Sequence, residues 1–239
     1  MKIHFRCDPA LADHLPRPQL ARGQLPDWLR QMPAACFSEL HGHEVRTVKH
    51  CPPFIDAMSF GFLVGLPCDV HVDGRRFHWD WHIPAPKTRN YPRAPLSFHD
   101  GSQLVQSPLW KAGRSAIKFN SFWTIELEPG WSLIATHPFN RFDLPFRSLT
   151  GLVDADRFHD GGINFPAIWE DDDFHGVVQR GTPVVQCFPV SREDLDLSYA
   201  SFDANQSASF AQTIDSVLSQ RGVYRRQFRV RRGRSPALK

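Results

Sequence analysis

The densest group of ionisable residues in the chain lies between positions 154 and 160, and it comprises Asp154, Asp156, Arg157, His159 and Asp160. Neighbouring carboxylates raise one another's pKa, and a histidine beside them is suited to act as a general base. The sequence therefore predicts Asp154, Asp156 and His159 as catalytic residues. The alternative is an acidic turn in which aspartate side chains accept hydrogen bonds from their own backbone.

A second group of polar residues, His137, Asn140 and Arg141, follows the strand-like segment 132–137. Polar side chains at the ends of barrel strands commonly form ligand sites. We therefore expect these three residues to bind a substrate. A purely structural hydrogen-bonding role is the alternative.

A third pattern alternates polar and aromatic residues over positions 77–82. The period of two in a strand places His78, Asp80 and His82 on one face and the tryptophans on the other. Two imidazoles and a carboxylate are the ligand types of a non-haem Fe(II) centre. Alternate residues of a strand lie about 7 Å apart, however. Metal ligation is therefore the alternative interpretation, and a polar outer face over a tryptophan-lined core is the main one.

Residues 151–190 resemble part of the dUTPase and dCTP-deaminase β-clip superfamily. The turn Gly-Leu-Val-Asp-Ala-Asp at 151–156 is followed by Gly-Thr-Pro-Val-Val-Gln at 181–186. The resemblance implies that Asp154 orders a water molecule or supports a base pocket, and that Gln186 binds substrate. The phosphate-binding helix start of that superfamily has no counterpart in residues 137–150. The resemblance thus implies shared sheet topology before shared chemistry.

Two further resemblances concern other parts of the chain. Four blocks in order, at 16–33, 48–70, 118–141 and 151–190, resemble a bacterial and phage-encoded family of unknown function. That resemblance implies a fold and no activity. Residues 129–141 also resemble a cupin strand, in which a histidine follows a Pro-Gly turn, and this underlies an Fe(II)-dependent alternative.

The elements that must position these residues are mostly strands. Apolar runs at 59–72 and 74–83 surround an Asp73-Gly74 turn, which is typical of a hairpin. Only residues 203–220 have a clear helical period, with Phe210, Ile214 and Val217 on one face. We predict an all-β fold, a distorted jelly-roll or β-clip-like barrel with one C-terminal helix and an extended N-terminal strap.

The length of 239 residues and the 41% hydrophobic content suit one domain with a full core. The predicted organisation is a strap at 1–45, a barrel core at 46–200, a helix at 203–220 and a basic edge strand and tail at 221–239. Five cysteines without paired spacing favour reduced thiols, and no apolar run is long enough to cross a membrane. We expect a cytoplasmic protein without a membrane partner.

Charge is concentrated at the C-terminal end, where residues 221–239 hold eight basic residues and no acid. A solvated edge strand protected by its charges accounts for this run, so nucleic acid is not the expected partner. The expected function is an enzyme that binds a small molecule or peptide at the barrel mouth, with the cofactor unassigned. The alternatives are an Fe(II)-dependent cupin-like oxygenase and a non-enzymatic structural or assembly protein, and homo-oligomerisation stays open.

Overall fold

The computed structural model describes residues 1–84, 93–109 and 115–230. The chain divides into two compact units. Unit 1 comprises residues 1–26 and 57–192, and unit 2 comprises residues 27–56 and the chain from residue 193 onward. The segment predicted as an N-terminal strap is therefore shared between the units, with residues 1–26 in the first and the remainder in the second.

Short strands dominate the described residues. In chain order they are β1 (His4–Arg6), β2 (Gln19–Leu20), β3 (Ala35–Ser38), β4 (His43–Arg46), β5 (Phe62–Gly65), β6 (Val70–Asp73), β7 (Arg76–His78), β8 (Leu96–Phe98), β9 (Ala116–Phe119), β10 (Thr124–Glu126), β11 (Trp131–Thr136), β12 (Phe146–Ser148), β13 (Gly151–Val153), β14 (Phe165–Trp169), β15 (His175–Val178) and β16 (Pro183–Ser191). The α-helices are α1 (Asp27–Gln31), α2 (Pro52–Met58) and α3 (Ala204–Ser219). Three 3-10 turns and a π-helix complete the elements, at Ala21–Gly23, Val48–His50, Gly101–Leu104 and Tyr224–Phe228.

Within the part of the chain that the structure describes, unit 1 holds all the sheets except one hairpin. Its five-stranded sheet has the order β13-β11-β16-β5-β2, and its four-stranded sheet has the order β12-β14-β9-β8. A three-stranded sheet, β15-β6-β7, and the pair β1-β10 accompany them. The prediction of a mainly β fold with one long C-terminal helix is confirmed. Among the described residues the strands form no closed barrel.

The core of unit 1 is formed by branched and aromatic side chains from both large sheets. Leu133 and Val185, on the paired strands β11 and β16, are fully buried, as is Ile117 on β9. Phe146 and Trp169 pack in the same cluster. Each strand buries either every second residue or a short run of residues. The polar side chains next to these buried residues therefore lie at the surface of the sheet.

The predicted hairpin around Asp73-Gly74 is present. Strand β6 buries Val70 and Val72 and exposes His71, and it pairs with β7 across a turn in which Gly74 has a φ of +60°. A positive φ favours glycine because it has no Cβ to clash with the backbone. The predicted strand 59–72 is divided into β5 and β6.

Unit 2 contains the β3–β4 hairpin and the long helix α3. Helix α3 begins with a capping box, in which the Asp203 side chain accepts a hydrogen bond from the Gln206 N–H and the Gln206 side chain accepts one from the Asp203 N–H. All sixteen residues of α3 belong to the described part of the chain, and none of them is buried. The predicted helix is confirmed.

The predicted edge strand after α3 is wrong over residues 224–228, which form the π-helix. Gly222, with a φ of +74°, redirects the chain after α3, and Val223 is then buried. The guanidinium of Arg229 donates to both carboxylate oxygens of Asp56 at 2.6 and 2.9 Å. This ion pair fixes the segment without strand pairing. Residues 231–239 of the predicted tail lie outside the described residues.

Candidate functional site

The acidic turn predicted as the catalytic centre converges on one guanidinium, that of Arg192. Its Nη1 lies 2.7 Å from Asp156 Oδ1 and 3.3 Å from Asp154 Oδ1, and its Nη2 donates to Asp156 Oδ2. Ser132 Oγ donates to Asp154 at 2.6 Å, and the Gly130 N–H donates to Asp156 at 3.0 Å. The two carboxylates therefore share one cation and also hold neighbouring strand ends.

The contacts of these carboxylates hold both in the ionised state. The hydrogen bond from Ser132 lowers the pKa of Asp154, and the hydrogen bonds from Arg192 lower the pKa of Asp156. The Asp156 side chain is only 6% exposed, so a ligand has little access to it. A general acid must carry a proton near neutral pH, which these aspartates do not. Asp154 and Asp156 thus form an ion-pair cluster with Arg192, and their catalytic role stays a prediction.

His159, the third predicted catalytic residue, also contacts this cluster. Its Nδ1 lies 3.0 Å from the Asp156 carbonyl oxygen, and its Nε2 lies 3.7 Å from Asp160 Oδ2. The structure thus brings the three predicted residues together. The organising residue, Arg192, was missed because it is 36 residues from Asp156 in the sequence. The two become neighbours because β11 pairs with β13 on one side and with β16 on the other.

The predicted substrate-binding residues lie in the turn after β11. His137 Nδ1 accepts a hydrogen bond from the Ser148 N–H at 3.2 Å, so its Nε2 carries the proton and donates to the Arg141 carbonyl oxygen at 2.8 Å. Burial lowers the pKa of His137, which stabilises this neutral form. Asn140 has a φ of +59°, a conformation that asparagine tolerates well. His137 and Asn140 therefore shape the turn.

Gln186, expected to bind substrate, is 1% exposed. Its Oε1 accepts from the Phe139 N–H at 2.9 Å, and its Nε2 donates to the carbonyl oxygens of Ala57 at 3.0 Å and Phe60 at 2.6 Å. The whole amide is thus engaged with the backbone. In this structure it joins three segments of unit 1 and has no amide group left for a ligand.

The two predicted residue sets do not form a single site. Ser132, which binds Asp154, lies near the start of β11, and His137 directly follows the end of the same strand. Five residues of extended chain span about 17 Å at about 3.4 Å per residue. The two sets therefore occupy opposite ends of one strand, and within the described residues no hydrogen bond or ion pair joins them; the functional roles of their members stay predictions.

The predicted metal ligands show the expected alternation. His78, Asp80 and His82 are exposed, whereas Trp79 and Trp81 between them are partly buried. No three His, Cys, Asp or Glu side chains of the described residues are grouped so that they could hold a metal ion. The main interpretation of this segment, a polar face over tryptophans, agrees with the structure.

Asp80 and His82 do line a groove of unit 1, of about 480 Å³, which we call the histidine groove. Its other ionisable lining residues are His14, Cys68, Asp69, His71 and Arg180. Burial raises the pKa of the Cys68 thiol to about 11, so this cysteine is protonated near neutral pH and is a poor nucleophile. Asp69 accepts a hydrogen bond from the Arg180 N–H at 2.6 Å, which orders the turn before β16.

A second groove of unit 1, of about 310 Å³, also contains Arg180, and we call it the arginine groove. It is lined by Pro16, Arg17, Gln19, Gln24, Leu63, Gly65, Arg141, Arg180, Gly181 and Pro183. A Cβ atom on Gly65 would lie 2.9 Å from the Gly181 carbonyl oxygen, so two glycines meet closely here and leave backbone as part of the lining. No described residue of this lining carries a carboxylate.

The three arginines of this groove are held differently. Arg141 forms a bidentate ion pair with Asp143, in which its Nε and Nη2 each lie 2.8 Å from a carboxylate oxygen. Arg180 Nη2 donates to the His14 carbonyl oxygen at 3.0 Å, which orients the guanidinium without neutralising it. Arg17 forms no ion pair within the described part of the chain. Arg17 and Arg180 therefore supply positive charge without a carboxylate partner in the arginine groove, although Asp69 and Asp80 line the neighbouring histidine groove that Arg180 also borders.

Comparisons with known proteins identify no relative: no protein-family model matches the chain, and no curated protein is significantly similar to it. The family resemblances of the sequence therefore stay predictions. Within the described residues, no helix is long and apolar enough to cross a membrane.

Proposed function

We propose that unit 1 binds a small organic anion in the arginine groove. The observation that carries this proposal is the convergence of Arg17, Arg141 and Arg180, from three separate segments, on a lining without a carboxylate among the described residues. Guanidinium groups recognise carboxylates through paired, charge-assisted hydrogen bonds. A concave site of this size is typical of small-molecule binding.

Each arginine has a separate role in the proposed site. Arg17 and Arg180 contribute net charge, and Arg141, already paired with Asp143, contributes shape and a polar edge. Of the predicted substrate-binding residues, Arg141 thus keeps a place in the proposal. Gly181, at which an added Cβ atom would meet nothing within 4 Å, leaves space for a ligand beside the backbone.

The adjacent histidine groove supports an enzymatic extension of this proposal. Arg180 lines both grooves, so an anion held there would lie beside groups that transfer protons, namely His82 and Asp80. We assign these two residues as the acid–base pair if the ligand is a substrate. We assign no role to Cys68, because burial raises the pKa of its thiol and leaves it a poor nucleophile near neutral pH.

The proposal is tested by isothermal titration with a panel of 2-oxo acids, dicarboxylates, nucleotides and short peptides. Arg17→Gln and Arg180→Gln should each weaken the best ligand by about tenfold to a hundredfold, the value of one charged hydrogen bond. Arg76→Gln removes the same charge from the exposed strand β7 and should leave affinity unchanged. Equal affinity of all three variants and the wild type would place the ligand elsewhere.

A second candidate function, homo-oligomeric assembly, is favoured by helix α3. Its apolar face is exposed in this chain, with Phe210 at 54% and Leu218 at 80% accessibility. The Phe202 ring contacts the Phe210 ring with centroids 5.5 Å apart and planes tilted by 38°, which extends the apolar face beyond the helix. Large contiguous apolar surface commonly marks a protein interface. Light scattering should show a dimer or larger species that Phe210→Ser with Leu218→Ser converts to monomer; a monomeric wild type would exclude this function.

We also propose a distorted jelly-roll or β-clip arrangement for the sheets of unit 1. The support is the order in which the chain uses them, since β11 and β13 belong to the five-stranded sheet while β12 and β14 belong to the four-stranded one. Alternation between two sheets is a property of jelly-roll and related sandwiches.

A further inference from the structure

A groove of unit 2, separate from the proposed site in unit 1, has an unusual concentration of arginine. It measures about 370 Å³ and lies between strand β4 and the chain that follows α3. Arg46 comes from β4, and Arg221 and Arg225 come from the segment around the π-helix. We call it the basic groove.

The charge in the basic groove is not compensated locally. Glu44 is the one acidic residue among the described lining residues, against three arginines. Arg46, Arg221 and Arg225 form no ion pair within residues 1–84, 93–109 and 115–230. Bringing three like charges together costs electrostatic energy, which a bound anion would offset.

Another arginine of this segment, Arg229, stabilises the fold instead of lining the groove. Arg229 donates two hydrogen bonds to Asp56 and is largely shielded from solvent. The Arg226 guanidinium donates to the Arg221 carbonyl oxygen at 2.7 Å, which helps to order the backbone that carries Arg221. The segment is thus fixed by Arg229 and Arg226, while Arg221 and Arg225 are directed to the groove.

We propose that the basic groove binds a phosphate-bearing small molecule. Phosphate presents several oxygens to which guanidinium forks can donate in pairs, and two or three arginines suit its charge better than that of a single carboxylate. The lining also includes the imidazoles of His43 and His50 and the phenol ring of Tyr224. Tyr224 is 44% exposed, so its ring can contact an organic substituent of the ligand. The volume lies in the range of small-molecule sites.

The proposal is tested on the full-length protein in phosphate-free buffer, with inorganic pyrophosphate as the probe in isothermal titration. Arg46→Gln and Arg225→Gln should each weaken binding by about tenfold or more, the loss of one charged hydrogen bond. The two substitutions lie on different elements, so one remains informative if the other affects folding. Arg225→Lys, which keeps the charge but loses the fork, should also weaken binding.

Two controls separate this site from general charge effects and from the proposed site in unit 1. Arg30→Gln removes an exposed arginine of unit 2 whose partner is Asp27, and it should leave the dissociation constant within about twofold. Arg180→Gln removes a residue of the arginine groove and should have no effect on pyrophosphate binding.

Three results would overturn the proposal. The first is an unchanged affinity in both Arg46→Gln and Arg225→Gln. The second is a loss on Arg180→Gln alone, which would move the phosphate to unit 1. The third is binding of a twelve-nucleotide single strand at 150 mM salt without binding of pyrophosphate, which would make nucleic acid the ligand instead. Failure of the arginine groove in its own titrations would leave this result unaffected.

Discussion

Replacing Gln186 with leucine tests whether this residue has a structural role. The sequence resemblance implied instead that its side-chain amide binds substrate. The substitution keeps the approximate side-chain size but removes one acceptor and two donors. The Phe139 N–H and the carbonyl oxygens of Ala57 and Phe60 each lose one hydrogen bond. Three backbone segments of unit 1 are therefore loosened together.

The expected loss of stability follows from the number of hydrogen bonds that the substitution removes. A typical hydrogen bond contributes about 1 kcal/mol to stability, so three give about 3 kcal/mol. Part of this loss is offset because the Ala57 carbonyl also accepts from the Phe60 N–H, and because leucine is more apolar than glutamine. We expect the free energy of unfolding to fall by about 2 to 3 kcal/mol, a large share of ordinary domain stability.

Gln186→Glu separates hydrogen bonding from packing. An ionised carboxylate there would accept from Phe139 but would face two carbonyl oxygens that need donors. Burial should raise its pKa in the folded state above the unfolded value of about 4.3. The variant's deficit relative to wild type should therefore shrink as the pH falls from 7 towards 4.5, because the protonated acid can donate one bond.

Urea unfolding followed by tryptophan fluorescence measures both variants, with Gln212→Leu on the exposed helix α3 as the control. The control should change stability by about 0.5 kcal/mol or less. A Gln186→Leu variant as stable as this control would refute the reasoning. So would a Gln186→Glu deficit that is independent of pH.

Three further predictions concern other parts of the chain. Because the folded state lowers the pKa of His137 from 6.5, its contribution to stability should be complete above about pH 6.5 and fall at lower pH, and His137→Gln should flatten that slope in unfolding titrations. Because Arg192 lowers the pKa of Asp156, the contribution of that pair should be present above about pH 3.8 and be lost on acidification, and Arg192→Gln should raise the Asp156 pKa measured by NMR. Asp203→Ala should destabilise α3 by about 1 kcal/mol, seen as lost helical circular dichroism on heating, whereas Asp203→Asn should retain most of the cap.

Local features of this protein were accessible from the sequence. The hairpin at Asp73-Gly74 and the helix over 203–220, which begins after Asp203, both agree with the structure. Each depends on residues a few positions apart, whose turn chemistry or periodicity acts through the adjacent backbone. The sequence also showed which acidic residues form the turn at 154–160, but it did not show what these residues do.

The tertiary structure decided which of these groups meet. The partner of Asp154 and Asp156 is Arg192, and the partners of Gln186 include Ala57, 129 residues away. Both relations depend on the register of long-range strand pairs, which side-chain periodicity alone does not specify. The length of β11 separates the two predicted residue sets, and the tertiary fold brings Arg17, Arg141 and Arg180, which lie outside the strands, into one groove. Residue types thus indicated possible chemistry, while sheet pairing over long sequence distances determined where charge remains available to a ligand.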